Sequence, residues 1–600
     1  MLVATFGDFS GVIPVLGVSS SILGQPWRWR ARAADARDGA MADGDLVTQL
    51  LLARGCPADR LEAHRVPSIR AFMPDPSCFR DMDRAAERLA DAVQAREGIA
   101  IFGDYDVDGA TSAALMVLVL RDLGLEARAY IPDRLLEGYG PSGDALVGLA
   151  RDGASLIVTV DCGAQAFEAL EAARIEGVDV IVVDHHKCAS ALPHAHAIVN
   201  PNRLDESVDG AIHGHLAAVG VAFLLAAALV RTLRARGFFA ARPEPRLLDL
   251  LDIVALGTVA DVAQLRGLNR AFVAQGLKVM AQGRNPGIAA LIAASRLTRA
   301  PTCTDLGFAL GPRINAGGRV GRADLGVRLL TTRDADEARA IAEELDRLNE
   351  ERRAIETGVQ EAADALTASD RRVAVVAGHG WHAGVIGIVA GRLKEKLGRP
   401  AIVIAIDEAG VGKGSGRSIT GVDLGAAVMA AREHGLLVAG GGHAMAAGLT
   451  IAADRIGALA DFLEDRLAGA VDRASAGRAL LLDAVVAPGG VNPALVEAFD
   501  VGGPYGTGWP APRIAAGPLR VLRADVVGNG HVRAVVAGDD GRSLKAMAFR
   551  HAETALGQAL LGAGPHRRLW LAGRAKIDEW GGKGTAELHL EDAAWADRPA

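Results

Sequence analysis

Three apolar runs in this sequence end in groups that hold or move charge. Residues 98–102 run into Asp104, Asp106 and Asp108, residues 156–160 stop at Asp161, and residues 178–183 stop at Asp184-His185-His186. Short Val/Ile runs separated by helical periodicity predict parallel strands buried on both faces. In an open α/β sheet, ligands bind outside the carboxyl ends of such strands. Carboxylates gathered there repel one another strongly at low dielectric unless cations neutralise them. Oxygen donors with one or two imidazoles suit Mg²⁺ or Mn²⁺ rather than a structural zinc. Two such ions form the usual clamp for phosphodiester hydrolysis. Asp161 alone would be an ordinary polar turn; three charged strand ends together are not.

The elements that must position these groups follow from periodicity. Helices are predicted over 84–96, 111–123, 166–176, 216–236 and 246–256, with a further strand at 127–131. Residues 335–366 are charged, periodic and free of Gly and Pro except Gly358. They predict one long helix acting as a rigid spacer between two compact regions. A second α/β unit is expected from 372–376 and 401–406, followed by glycine turns to about 452. From about 480, short strands at 531–536, 543–549, 568–577 and 585–590 alternate with turns such as Gly538-Asp539-Asp540-Gly541, which predicts a small β-barrel.

Composition narrows the function classes. A chain of 600 residues suggests about four domains. Lys+Arg 65 minus Asp+Glu 72 gives −7, so a polyanionic partner must be met by a local patch or by metal ions. Half of the residues are hydrophobic and 23% are charged, which excludes general disorder. Five cysteines without a CxxC pair predict a reducing compartment and no zinc site. The longest apolar run, 216–230, is too short for a membrane span and predicts a buried helix. Asp8 and the lack of a basic leader argue against secretion, so a cytoplasmic chain without membrane contact is expected. Residues 1–45, including Trp27-Arg28-Trp29-Arg30, are expected to be loosely ordered.

At this point the residues reach a known family. Asp104-Tyr105-Asp106-Val107-Asp108-Gly109, Asp161-Cys162-Gly163, Asp184-His185-His186 and Gly257-Thr258-Val259-Ala260-Asp261 resemble, in order, the four motifs of the DHH phosphoesterase superfamily. Ile131-Pro132-Asp133-Arg134, Glu137-Gly138-Tyr139-Gly140, Pro312-Arg313-Ile314-Asn315, Trp381-His382-Ala383-Gly384, Gly414-Ser415-Gly416-Arg417 and Gly440-Gly441-Gly442-His443 resemble its single-strand-specific 5′-exonuclease branch. The resemblance implies an α/β fold: a parallel-sheet DHH domain and a second α/β (DHHA1) domain joined by the long helix, with a C-terminal OB-type β-barrel. The corresponding boundaries are 1–80 for an N-terminal segment, 81–270 for the catalytic domain and 271–370 for the connecting region. The substrate-binding domain would span 371–470 and the barrel 471–600.

The implied activity is metal-dependent degradation of single-stranded DNA from the 5′ end to mononucleotides, in DNA repair and recombination. Asp106, Asp108, Asp161, His185 and Asp261 match the ligands of two Mn²⁺ or Mg²⁺ ions, with Asp161 bridging. His186 matches a second-shell or phosphate-contacting group. Smaller relatives carry a histidine four residues before the first ligand aspartate; Phe102 stands there, so Asp104 or water would complete that ion's shell. For the substrate, an arginine supplies bidentate phosphate contacts and glycine-flanked backbone N–H groups can cradle an anion. Gly414-Ser415-Gly416-Arg417 offers both, and the family holds its terminal phosphate there through Ser415 and Arg417. Arg134, His382, Gly441, Gly442 and His443 match further phosphate contacts, and Arg313, Asn315 and Arg319 match a strip along the strand's route. The barrel would hold single strands through Arg533, Lys545, Arg574, Lys576, Trp570 and Trp580. A single-strand-binding protein and a helicase are the implied partners of a monomer. The competing readings are a phosphodiesterase for short oligonucleotides or cyclic dinucleotides, and a non-enzymatic scaffold.

Overall fold

The computed structural model describes residues 14–30, 45–134, 136–368, 370–564, 566–578 and 584–596, with the backbone of the short strand Ala4–Thr5. It divides into two compact units, one of Met1–Pro67, Gly477–Tyr505 and Trp509–Ala600, the other of Ser68–Ala476 and Gly506–Gly508.

The larger unit opens with the predicted parallel sheet. Its strands lie in the order Arg128–Tyr130, Ile99–Gly103, Leu156–Val160, Asp179–Val183, Ala197–Val199, all parallel. Ile99–Gly103 and Leu156–Val160 are buried throughout, as runs covered on both faces must be. The chain reverses its direction of travel across the sheet between these two neighbours, and such a switch point opens a crevice beyond their carboxyl ends. Asp104, Asp106 and Asp108 follow one of these strands and Asp161 the other.

The helix Val107–Asp122 starts earlier than periodicity predicts. Asp106 caps it, accepting from the N–H groups of Asp108 (2.9 Å) and Gly109 (3.1 Å). The helix Ala218–Ala235, the one described helix long and apolar enough to cross a bilayer, is largely buried.

The long helix is Ala335–Leu366, and it packs along its length rather than only spacing two regions apart. Ala338, Ile341, Leu345, Leu348, Val359 and Ala363 bury one face along its length, against the helices Pro286–Ala294, Gly311–Val320 and Ile386–Leu397. Asp334 caps it, accepting from the N–H groups of Asp336 (2.8 Å) and Glu337 (3.3 Å). Asp334→Ala is expected to lower stability by about 1 kcal/mol, read as a shift of the urea midpoint without a change of slope.

The second sheet runs Ala439–His443, Ala446–Ala452, Val411–Arg417, Ala401–Ile406, Ala374–His379, with only the last two strands parallel.

In the smaller unit, Ile514–Val527, His531–Ala537, Ser543–Ala548, Ala586–Trp595 and Arg568–Ile577 pair in a closed ring, a five-stranded barrel. The expected N-terminal segment over 1–80 is not a body of its own, since the chain up to Pro67 belongs with the barrel. Nor are residues 14–30 loose. Trp27–Trp29 forms a strand parallel to Leu480–Leu482, with Trp27 fully buried and its Nε1 donating to Asp592 at 3.0 Å. The Trp-Arg-Trp-Arg alternation is a period-2 pattern that turns Trp27 inward. Arg30 and Arg54 both donate to the buried carboxylate of Asp483 at 2.9 Å, fastening this segment to the barrel unit. Residues 1–3, 6–13 and 31–44 lie outside the described residues, as does Trp580.

Candidate metal centre

The carboxyl-end crevice gathers three groups of donors, each with ligand atoms within 4.8 Å of one another: Asp104, Asp106 and Asp161; Asp108, His185 and Asp261; Asp161, His185 and His186. All seven residues expected from the motifs therefore meet in one place, and Asp104 stands with Asp106 and Asp161 where Phe102 left a ligand in question. Phe102 itself is fully buried and stacks on Tyr130.

Each donor is aimed by its surroundings. Asp108 lies in the first turn of its helix and accepts from the N–H groups of Ala218 (2.6 Å) and Val219 (2.9 Å), at the N-terminus of the buried helix. Gly257 lets the helix Leu251–Ala260 close on this point, because a Cβ there would sit 2.2 Å from Thr111 Oγ1. That helix ends at Asp261, whose Oδ2 lies 3.8 Å from His185 Nδ1. His185 Nδ1 donates to the Leu216 carbonyl at 3.0 Å, which leaves Nε2 as a lone-pair donor 3.3 Å from Asp161 Oδ1. Asp161 holds φ +61°, a left-handed backbone that Asp and Asn tolerate better than most residues.

Within this crevice Asp104 Oδ1, Asp161 Oδ1 and His185 Nε2 are buried without a hydrogen-bond partner. Burial, and then the neighbouring carboxylates, push Asp104, Asp161 and Asp261 well above the usual carboxylate range, and Asp108 up to about 7. Orphaned oxygens and an orphaned imidazole nitrogen facing one another fit hard divalent cations. A pH dependence follows. Asp108 holds its proton in the metal-free protein up to about pH 7, Asp104, Asp161 and Asp261 hold theirs well above the usual carboxylate range, and a bound ion must displace these protons. Mn²⁺ affinity is expected to fall as pH drops below about 7, by up to about tenfold per unit for each proton displaced. Calorimetric titration in two buffers of different ionisation enthalpy reads both the affinity and the proton count.

Two supporting residues escaped the sequence reading. Asp184 accepts from the N–H groups of Ala164, His185 and His186 and from His186 Nδ1 at 2.8 Å. Although burial opposes it, these donors hold Asp184 down to about 2, and its charge holds His186 above the usual imidazole range. Tyr139 places its hydroxyl 3.3 Å from both the Asp161 carbonyl and His186 Nδ1. Both residues sit in quoted motifs, but only the tertiary contacts show what they hold.

Three arginines collect on the Asp104–Asp106 side. Arg134 lies over the Tyr105 ring, 4.9 Å from its centroid. Arg319 donates to the Gly384 carbonyl at 2.8 Å, and Arg417 to Ser415 Oγ (3.0 Å) and the Gly416 carbonyl (2.9 Å). Burial, and then Arg134, lower the pKa of Arg319 to about 10 and lower that of Arg417. No carboxylate among the described residues lies within ion-pair distance of any of the three. Gly387, at the start of the helix Ile386–Leu397, adjoins Ser415 and Arg417.

Other expected contacts stand differently. Gly414 and Gly416 do not cradle an anion: they lie mid-sheet, paired on both sides, and a Cβ on either would strike Leu449 or Leu424 in the core. Arg313 is buried and committed to Asp346 at 2.8 Å on the long helix, while Asn315 is half-buried. His382 Nδ1 accepts from the Gly384 N–H at 3.0 Å. Gly441, Gly442 and the exposed His443 lie on the edge strand Ala439–His443, where Gly442 lies so close to the helix Leu424–Glu433 that a Cβ on Gly425 would stand 2.8 Å from it.

On the barrel, Lys545 bridges Asp578 (2.9 Å) and Glu587 (2.8 Å), Arg574 pairs with Glu591 at 2.9 Å, and Arg533 lies 3.6 Å from Asp525. Lys576 is exposed and Trp570 packs into the core. Carboxylates on neighbouring strands thus offset most of the charge expected there.

A sheet-borne cluster of carboxylates and imidazoles beside a basic pocket defines a metal-dependent phosphoesterase of the DHH class. The DHH family N-terminal domain matches residues 98–258, the DHHA1 domain 370–469 and the RecJ OB domain 482–592. The chain is 38% identical over 523 residues to the single-stranded-DNA-specific exonuclease RecJ of Dickeya dadantii, covering 85% of this chain and 89% of that protein. The crystal structure of RecJ with Mn²⁺ from Thermus thermophilus superposes with a TM-score of 0.73 at 28% identity, covering 92% of this chain and 76% of that one. Its Mg²⁺ counterpart gives 0.68 at 27% identity, covering 92% and 74%. The chain belongs to the RecJ family of single-stranded-DNA-specific exonucleases.

Proposed function

We propose that this protein removes mononucleotides from the 5′ end of single-stranded DNA with two Mn²⁺ or Mg²⁺ ions. The observation that carries this reading is a set of three donor groups in one crevice, two sharing Asp161 and two sharing His185, beside three arginines that have no acidic partner among the described residues. Asp104, Asp106 and Asp161 would hold one ion, and Asp108, His185, Asp261 and Asp161 the other. When bound, the ions supply Lewis-acid polarisation of the phosphate and an activated water. Arg417, Ser415, Arg319 and Arg134 orient the terminal phosphate through charge-assisted contacts. His186, fixed through Nδ1 on the ionised Asp184 and standing among the donors, is the candidate proton source for a phosphate or leaving-group oxygen.

The match to the RecJ OB domain over 482–592 counts against a phosphodiesterase confined to dinucleotides. The seven convergent donors count against a scaffold. From the family resemblance we place the protein in the cytoplasm as a monomer, acting with a single-strand-binding protein and a helicase in repair and recombination. The test is digestion of end-labelled single and double strands of both polarities with EDTA, Mg²⁺ or Mn²⁺. Release of labelled mononucleotide from the 5′ end of single strands, abolished by EDTA, is expected; metal-independent cleavage or equal attack on duplex would overturn the reading.

A further inference from the structure

Two asparagines outside the donor set converge on the chain segment behind the metal centre. Asn202 Nδ2 donates to the His185 carbonyl (2.6 Å) and to the Gly214 carbonyl (3.0 Å). Asn269 Nδ2 donates to the His215 carbonyl (2.6 Å) and to the Gln264 carbonyl (3.1 Å). The next carbonyl along the segment, that of Leu216, accepts from His185 Nδ1. Two residues further, the N–H groups of Ala218 and Val219 hold Asp108.

Three consecutive carbonyls are thus taken by three different side chains, and each bond leads to the metal centre. Asn202 ties the segment to the main chain of His185. Asn269 ties it to the turn that follows Asp261, at Gln264. The segment's own N–H groups fix Asp108. Asp108, His185 and Asp261 are together one of the donor groups. Gly214 lets Asn202 approach, since a Cβ there would lie 2.5 Å from its Oδ1. Asn269 is fully buried in the helix Gly267–Met280, and its own Oδ1 has no hydrogen-bond partner. Asparagine is a poor helix former and an unpaired buried oxygen lowers stability, so packing alone would favour an apolar residue of that size.

We propose that Asn202 and Asn269 are positioning residues that brace Asp108, His185 and Asp261 into a single ion site, one amide fixing the imidazole and the other the carboxylate at the helix end. This deepens the two-ion reading and rests on it. Removing either amide leaves every ligand atom in the chain but loosens its aim. Among the described residues, neither amide hydrogen-bonds to Asp104, Asp106 or Asp161, so the loss falls on one ion and spares the other.

The test is calorimetric titration of the full chain with Mn²⁺ in two backgrounds that each remove one ion. These are Asp106→Asn, in which asparagine still caps the helix, and Asp261→Asn. In the Asp106→Asn background, Asn202→Ala and Asn269→Leu should each weaken Mn²⁺ binding by about 10- to 100-fold, the usual effect of losing an outer-shell partner. In the Asp261→Asn background, each should leave the affinity within about twofold, as for independent sites. Leucine fills the volume of Asn269 without donating, so a cavity does not confuse the result; if that variant does not fold, Asn202→Ala decides alone. Equal weakening in both backgrounds reports a general loss of fold and overturns the brace, as does unchanged affinity in both or weakening confined to Asp261→Asn. A wild-type protein that binds a single Mn²⁺ fails the two-ion reading instead, and the Asp106→Asn background still tests the brace.

Discussion

Asp161→Asn should hydrolyse single-stranded DNA at least about 10³-fold more slowly than the wild-type protein under saturating Mn²⁺. The size follows from several kcal/mol of charge stabilisation lost when a carboxylate that belongs to two of the three donor groups becomes neutral, at about 1.4 kcal/mol per factor of ten. Asparagine is the informative replacement. Asp161 stands at φ +61°, which Asn tolerates and which would add strain to an Ala variant. Burial and the surrounding carboxylates raise the pKa of Asp161, so its charge destabilises the metal-free fold at neutral pH. The variant should therefore melt no lower than wild type in EDTA, yet gain less from added Mn²⁺. Near-normal turnover in that variant would remove Asp161 from the ion-binding set.

Arg417→Ala should reduce the preference for a 5′-phosphate over a 5′-hydroxyl by roughly 10- to 150-fold, the equivalent of about 1.5–3 kcal/mol for a charge-assisted contact. The guanidinium is held by Ser415 Oγ and the Gly416 carbonyl, with Arg134 as its charged neighbour, so its charge is left for a bound anion. Kinetics on matched phosphorylated and unphosphorylated strands measure the effect, which should fall mainly on KM. A variant with undiminished discrimination would place the terminal phosphate elsewhere.

The parallel sheet, the long helix, the barrel strands and the charged strand ends Asp104, Asp106, Asp108, Asp161, His185 and His186 were legible in the sequence, while Asp261 came from the family resemblance. These rest on local patterns: buried strands read as continuous Val/Ile runs, a long helix as periodic charge without Gly or Pro, and strand ends as the sites of turns. Two misreadings share one cause, since a residue's partner lies far away in the chain. Gly414 and Gly416 look like an anion cradle until Ile404, Leu424 and Leu449 are seen packed where their side chains would stand. Lys545 and Arg574 look like a groove for phosphates until Asp578, Glu587 and Glu591 are found paired with them.

The tertiary structure alone shows which nitrogen of His185 is left free to act as a ligand, because the Leu216 carbonyl 31 residues away sets the proton. It likewise seated Asp108 on the N–H groups of Ala218 and Val219, brought Arg134, Arg319 and Arg417 to one side of the site, and fastened Trp27 into the barrel unit. Hydrogen-bond direction and charge pairing act over a few ångströms in space, and no spacing along the chain records which groups folding brings within that distance.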